Sequence, residues 1–345
     1  MKSLLRLLLK TQHQQNRSHP TKTEKGMTLV ELLVGSIMAF LIITPMLAFV
    51  VDMLNTDRRE QVKANTEQDL QAAVDFIGQD LNQAIYIYDK TAIDLIRNQL
   101  PAAGDATKTP ILVFWKRQQI KNAVPVNATL TPKPSNCKPD PLSGKAGECN
   151  DTYVLSLVAY YQIKDTTPNP IWCQPLGGTC PTRIARYEIR DGVKDPSSSD
   201  PTNPYYSLTD ANEYAPNEAF EPSFNISKPT LNVTKGAKFK DAEVLVNYID
   251  HSPKAIDPAE CKNALGNPTD PKNSPLEEKT LKVTDTDNIN SFYACVDTAR
   301  NTARVTIRGN SLRRLQTNDT AYDDKKSAFF PTATVQVKGL GGLGN

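Results

Sequence analysis

The strongest feature in the hydropathy pattern is an unbroken apolar run. From Leu32 to Val51 there are 20 residues without a charge. At about 1.5 Å per residue, a helix of that length spans roughly 30 Å, the thickness of a bilayer core, so the segment can cross a membrane once. After Val51 the chain turns polar through Asp57, Arg58, Arg59 and Glu60. An apolar stripe then recurs at Leu70, Val74, Ile77, Leu81 and Ile85. Steps of three and four residues put these side chains on one helical face, so the spacing predicts an amphipathic helix over 55–88 with that face packed under a sheet.

Beyond the stripe the period changes. Short runs rich in β-branched and aromatic residues lie at 111–115, 153–163, 184–190, 243–249, 302–308 and 333–338. Several alternate, as in Ala303, Val305 and Ile307, which predicts a half-exposed antiparallel sheet. The stretches between them, about 116–151, 191–230 and 251–288, are dense in Pro, Asn, Asp and Ser and read as loops. The Gly-rich end, Gly339 to Asn345, reads as a flexible tail. The expected fold class is α+β: a long N-terminal helix, half transmembrane and half amphipathic, packed on an antiparallel β-sheet head that is β-rich over 105–345, with long disulfide-closed loops.

Charge sets the expected topology. Lys2, Arg6, Lys10, Arg17, Lys22 and Lys25 precede the apolar run against one acid, Glu24. By the positive-inside rule this end stays in the cytoplasm and the head is extracytoplasmic. No small-residue cleavage pattern follows the run, so the apolar helix is expected to be retained. The net charge of +2 is too small and too scattered to imply nucleic acid. An ordinary signal anchor would explain the basic flank and the hydrophobic length, but not Glu31. An ionisable group in mid-span costs roughly 2.5–3.5 kcal/mol on insertion scales and usually has a functional partner.

The residues around Glu31 supply one. Lys25 to Leu33 read KGMTLVELL, which closely resembles the signal of type IV prepilins and type II secretion pseudopilins. That resemblance implies a leader of residues 1–26, cut after Gly26 by a membrane aspartyl prepilin peptidase and methylated at the new N-terminus, Met27. A transmembrane and filament-core helix over 27–54 and an extracytoplasmic head over 55–345 would follow. Glycine before the cut lets the backbone lie extended against a catalytic dyad. Glu31 would pair with the N-terminal ammonium of a neighbouring subunit, lowering the cost of both charges in an apolar core. Pro45, inside the span, cannot donate a helical hydrogen bond, so a kink or locally melted turn is expected there, either tied to assembly or simply tolerated.

A second resemblance lies at the helix end. Ala72 to Ala84, AAVDFIGQDLNQA, is similar to the PilW type of minor pilins and the J-type pseudopilins of type II secretion. The implied function is a minor pilin or pseudopilin at the inner membrane, later in a pilus or pseudopilus. The implied partners are the peptidase, other major and minor pilins, the inner-membrane assembly platform and the membrane itself. The long loops also bring the chain near the pseudopilins of cyanobacterial hormogonium polysaccharide secretion, which would make export and gliding motility the process served.

The remaining chemistry is sparse. Cys137, Cys149, Cys173, Cys180, Cys261 and Cys295 all follow the apolar run, and their even number suggests disulfides in an oxidising compartment. Many connectivities are open. Nearest-neighbour pairing is expected because each bridge then closes a loop the core cannot hold, at about 2–4 kcal/mol apiece. A zinc site is disfavoured, since no CxxC occurs and His251 is the one histidine nearby. Asp285, Thr286, Asp287 and Asn288 invite a calcium reading, but Ile289 stands where an oxygen ligand should. Tyr160, Tyr161, Trp172, Tyr205 and Tyr206 read as a glycan or partner surface, or as strand-core and loop packing. No P-loop, GxSxG or dinucleotide motif is present, so no cofactor, metal or catalysis is expected. A pilus-tip adhesin and a membrane-anchored enzyme stay open as other classes.

Overall fold

The computed structural model describes residues 26, 28–126, 149–165, 171–195, 198–200, 204–205, 214–254, 256–270, 272–283 and 291–341. The chain divides into two compact units, Met1–Asp57 and Arg58–Asn345. One helix, α1 (Leu29–Asn82), runs for 54 residues and continues unbroken through Pro45. The expected melted turn does not form. One proline removes a single donor, the one that Leu41 O would accept, and the helix carries on to either side of it. Within the first unit the apolar side chains are exposed all round the helix, Leu32 at 61% and Phe40 at 71%. Such a surface suits lipid rather than a protein core. By length and composition α1 is a candidate membrane span.

The second unit is α+β. Its first sheet has the order β1 (Ala84–Ile87), β2 (Lys108–Pro125), β3 (Cys149–Lys164), β4 (Thr182–Arg190), β5 (Glu243–Ile249), all antiparallel. The second has the order β6 (Lys282–Val283), β7 (Phe292–Asp297), β8 (Thr302–Arg308), β9 (Thr332–Lys338), also antiparallel. Short helices α2 (Lys90–Ile96), α3 (Glu260–Ala264), α4 (Glu278–Leu281) and α5 (Leu312–Leu315) fill the connections. The sheets meet where Asp250 N donates to Arg308 O at 3.0 Å, and the chain end returns to the helix end through Leu340 N on Ala84 O at 2.9 Å.

The predicted stripe is the core. Leu70, Val74, Ile77 and Leu81 are buried against Phe114 and Tyr160 of the first sheet and Val305 and Ile307 of the second. Each such side chain contributes about 1.5–3 kcal/mol of burial. Gly309 makes the close approach possible, because a Cβ there would lie 2.9 Å from both Leu70 Cδ1 and Thr66 Cγ2.

Several expectations are corrected. The helix stops at Asn82 and not at residue 88; Gln83 N donates to Asp80 O in a turn, and Ile85 belongs to β1. The stretch 116–151 is not all loop, since β2 reaches Pro125 and β3 begins at Cys149. The stretch 251–288 holds α3, α4 and β6. The head contains two sheets, and β7, buried along its whole length, is an additional strand. Gly339 and Leu340 are held by Asn301 O and Ala84 O, so the expected tail does not start at Gly339; residues 342–345 lie outside the described residues.

Candidate functional site

Gly26 is exposed and non-helical, with nothing within 4 Å of where a Cβ would stand. Met27 and residues 1–25, the expected leader before Gly26, lie outside the described residues. Just after this point Thr28 and Glu31 make a reciprocal cap. Thr28 N donates to Glu31 Oε2 at 3.1 Å, Thr28 Oγ1 donates to the same oxygen at 3.2 Å, and Glu31 N donates to Thr28 Oγ1 at 3.3 Å. This is a capping box: Thr at the N-cap and Glu three residues on satisfy donors the first turn leaves orphaned. It gives Glu31 a local role that the motif does not advertise, although T-x-x-E before an apolar run is its sequence signature.

In the head the chemistry concentrates under the end of α1. Asp80 is buried, with Lys116 Nζ donating to Oδ1 at 2.9 Å, and Arg186 Nε and Tyr160 Oη donating to Oδ2 at 2.8 and 2.7 Å. Glu188 completes the set, taking Arg186 Nη1 at 2.8 Å, Lys116 Nζ at 3.4 Å and Ser156 Oγ at 2.7 Å. Two acids face two bases, so the cluster is neutral while every charged head has a partner. Burial pushes the Asp80 carboxyl up, but Arg186 and Lys116 outweigh it and hold it below its ordinary value. Glu188 is lowered for the same balance of reasons. Burial likewise lowers the Arg186 pKa, yet Asp80 and Glu188 raise it further than burial depresses it. The cluster joins α1 to β2, β3 and β4 in one polar lock. A cleft of about 390 Å³, lined in part by Asn217, Lys238 and Phe239, opens beside Glu188.

Two disulfides are formed among the described residues. Cys173–Cys180 closes a short loop, and Cys261–Cys295 ties α3 to β7 across 34 residues. Cys137 lies outside the described residues, and Cys149 is disulfide-bonded. The Cys173–Cys180 loop wraps a fully buried cation. Arg313 donates to Thr179 O at 2.8 Å, Pro175 O at 2.9 Å and Gly177 O at 2.7 Å. Burial pulls its pKa down from the ordinary guanidinium value. Nothing local in the sequence pairs residue 313 with a loop more than a hundred residues earlier.

His251 is half-buried beside Asp250, and burial lowers its pKa. Among the described residues no group of three or more His, Cys, Asp or Glu is placed to hold a metal ion; Asp285, Thr286, Asp287, Asn288 and Ile289 lie outside them. Among the described residues the aromatics do not form one surface. Tyr160 and Tyr161 are buried, Tyr161 Oη donating to Pro101 O at 2.7 Å, and Trp172 stacks under Arg183 at 5.3 Å. Tyr205 is buried with its hydroxyl donating to Asp191 Oδ1 at 2.7 Å, and Tyr206 lies outside the described residues. Burial raises the Asp191 carboxyl above its ordinary value.

A long N-terminal apolar helix followed by an antiparallel, disulfide-bonded head is an arrangement compatible with a pilin-like fold. No protein-family model, no curated protein and no solved structure matches the chain.

Proposed function

We propose that this chain is a minor pilin or pseudopilin subunit of a type IV pilus-like or secretion filament, and that it works by assembly and not by catalysis. In this reading prepilin peptidase cuts after Gly26, Met27 is methylated, and the helix over 27–54 holds the subunit in the inner membrane until it joins a filament. Polysaccharide secretion with gliding motility is the process proposed. The observation that carries it is the KGMTLVELL signal placed at the start of α1, whose far half supplies the core of the head.

The capping box sharpens the test. Glutamine serves a capping box as glutamate does, so Glu31→Gln keeps the local cap and removes only the charge. Glu31→Ala removes both. Mass spectrometry of the mature N-terminus should show cleavage after Gly26 in wild type and in both Glu31 variants, and unprocessed chain in Gly26→Val. Both Glu31 variants should be missing from sheared filament fractions. Incorporation of Glu31→Gln at the wild-type level would remove charge pairing from the proposal, and an uncut wild-type chain would remove the proposal itself.

A further inference from the structure

We infer that the cleft beside Glu188 is a binding site for a neutral saccharide. The phase of the β3–β4 ladder puts an open main-chain pair in its wall. Asp191 N donates to Leu155 O at 2.8 Å, in the same register that pairs Ser156 with Arg190 and Val158 with Glu188. Hydrogen-bonded pairs alternate in an antiparallel ladder, so Tyr187, Ile189 and Asp191 turn their main chain toward β3, and Arg186, Glu188 and Arg190 turn theirs away. Arg186 is covered by Glu243, where β5 begins. Arg190 is covered by Asn217, whose N donates to Arg190 O at 2.9 Å and whose Oδ1 accepts from Arg190 N at 2.6 Å. Glu188 lies between these two covers, and among the described residues nothing takes its N–H or C=O.

The lining is part polar and part apolar. Glu188 adds a carboxylate held in place by Arg186, Lys116 and Ser156. Asn217 adds an amide whose oxygen is already engaged by Arg190 N, which leaves Nδ2 to donate. On the apolar part Ile189 and Ala219 are buried, while Phe239 is half-buried, packing on the main core and lining the cleft as well. Formal charge balances: Glu188 and Glu218 stand against Lys238 and Lys240, and Lys238 meets Glu218 at 3.8 Å.

These features choose between ligand classes. A peptide that adds to a sheet exchanges two bonds with every second residue of the edge, and this edge is open at Glu188 alone. An inorganic anion finds no net positive charge to hold it. A wholly apolar ligand would leave the Glu188 N–H and C=O desolvated and unpaired. A sugar ring meets each demand. Adjacent hydroxyls can accept from Glu188 N and donate to Glu188 O, and others can reach the carboxylate and Asn217 Nδ2. The C–H face of the ring lies on Phe239, whose negative π-face attracts it. At about 390 Å³ the cleft is within the range of small-molecule sites and admits a mono- or disaccharide. The inference does not rest on the filament reading, because a head that never assembled would bind equally well.

Saturation-transfer NMR of the full chain tests this, in a detergent without a sugar headgroup and with cellobiose, lactose, mannobiose or chitobiose as the probe. At least one sugar should receive saturation, with a Kd at or below about 5 mM. Phe239→Leu keeps the apolar packing and loses the ring face. Asn217→Asp keeps the oxygen for Arg190 N and loses the amide donor. Each should weaken binding of that sugar about fivefold or more with little change in melting temperature, and Phe239→Tyr should bind like wild type. Silence from all four sugars overturns the inference. So does binding that either folded variant leaves unchanged, or inorganic phosphate bound more tightly than any of the sugars. Should Phe239→Leu fail to fold, Asn217→Asp decides by the same criterion.

Discussion

Removing the Asp80 carboxylate should be among the most damaging single changes in the head. Asp80→Ala deletes the acceptor of Lys116, Arg186 and Tyr160 at once and leaves two buried cations sharing Glu188. Breaking a buried ion pair by taking away one partner costs about 3–5 kcal/mol. Glu188 keeps some compensation, which places this variant near the lower end. Against a typical total of about 5–15 kcal/mol, that is a large fraction of the stability. Urea unfolding of the full chain in detergent, followed through Trp115, gives the readout, since Trp115 is fully buried.

The pH dependence adds a second signature. Asp80 and Glu188 are both held below their ordinary values of 3.8 and 4.5. For a carboxyl lowered by folding, the stabilisation is fully present above the unfolded value and is lost as pH falls through the folded one. Wild type should therefore lose stability as pH drops below about 4, and Asp80→Ala should lose less over the same interval. A cost under about 1 kcal/mol at pH 7, or an unchanged acid slope, would refute the lock.

Three further outcomes are expected. Ile77→Asp should unfold the head, because a buried unpaired carboxylate costs several kcal/mol at a position with no exposure; far-ultraviolet circular dichroism checks it. Gly178→Ala should open the Cys173–Cys180 loop, since the residue sits at φ +68° and a Cβ would stand 2.0 Å from Thr317 O; limited proteolysis within 171–180 reports it. Tyr205→Ala should lower the melting temperature and not act only on a binding surface, because it removes a buried ring and the donor to Asp191, at about 3 kcal/mol.

What the sequence made legible follows the physics of each signal. The stripe at Leu70, Val74, Ile77 and Leu81 was readable because one face of α1 is buried and the other wet. Ile85 fits the same spacing yet lies in β1, since periodicity alone does not say where a helix ends. β7 has no alternation to detect, because all six of its residues are buried. The far ends of β2 and β3 carry Lys, Gln and Asn and read as loop, but the pairing of Gln119 with Tyr153 and Ile120 with Thr152 extends them as a ribbon. The Asp80 lock draws on residues 80, 116, 160, 186 and 188, whose separations leave no local mark. The cup around Arg313 is invisible for the same reason.

The lock also fixes how the head would bear a load. A pull along α1 within the head would stress the apolar stripe and the bonds from Asp80 to β2, β3 and β4 in shear, so they must yield together. A pull across the helix would break contacts one after another. The bond from Leu340 N to Ala84 O fastens the far end of the chain at the spot where α1 gives way to β1. Tension entering through the helix is therefore spread over several strands before β1 can peel away from β2.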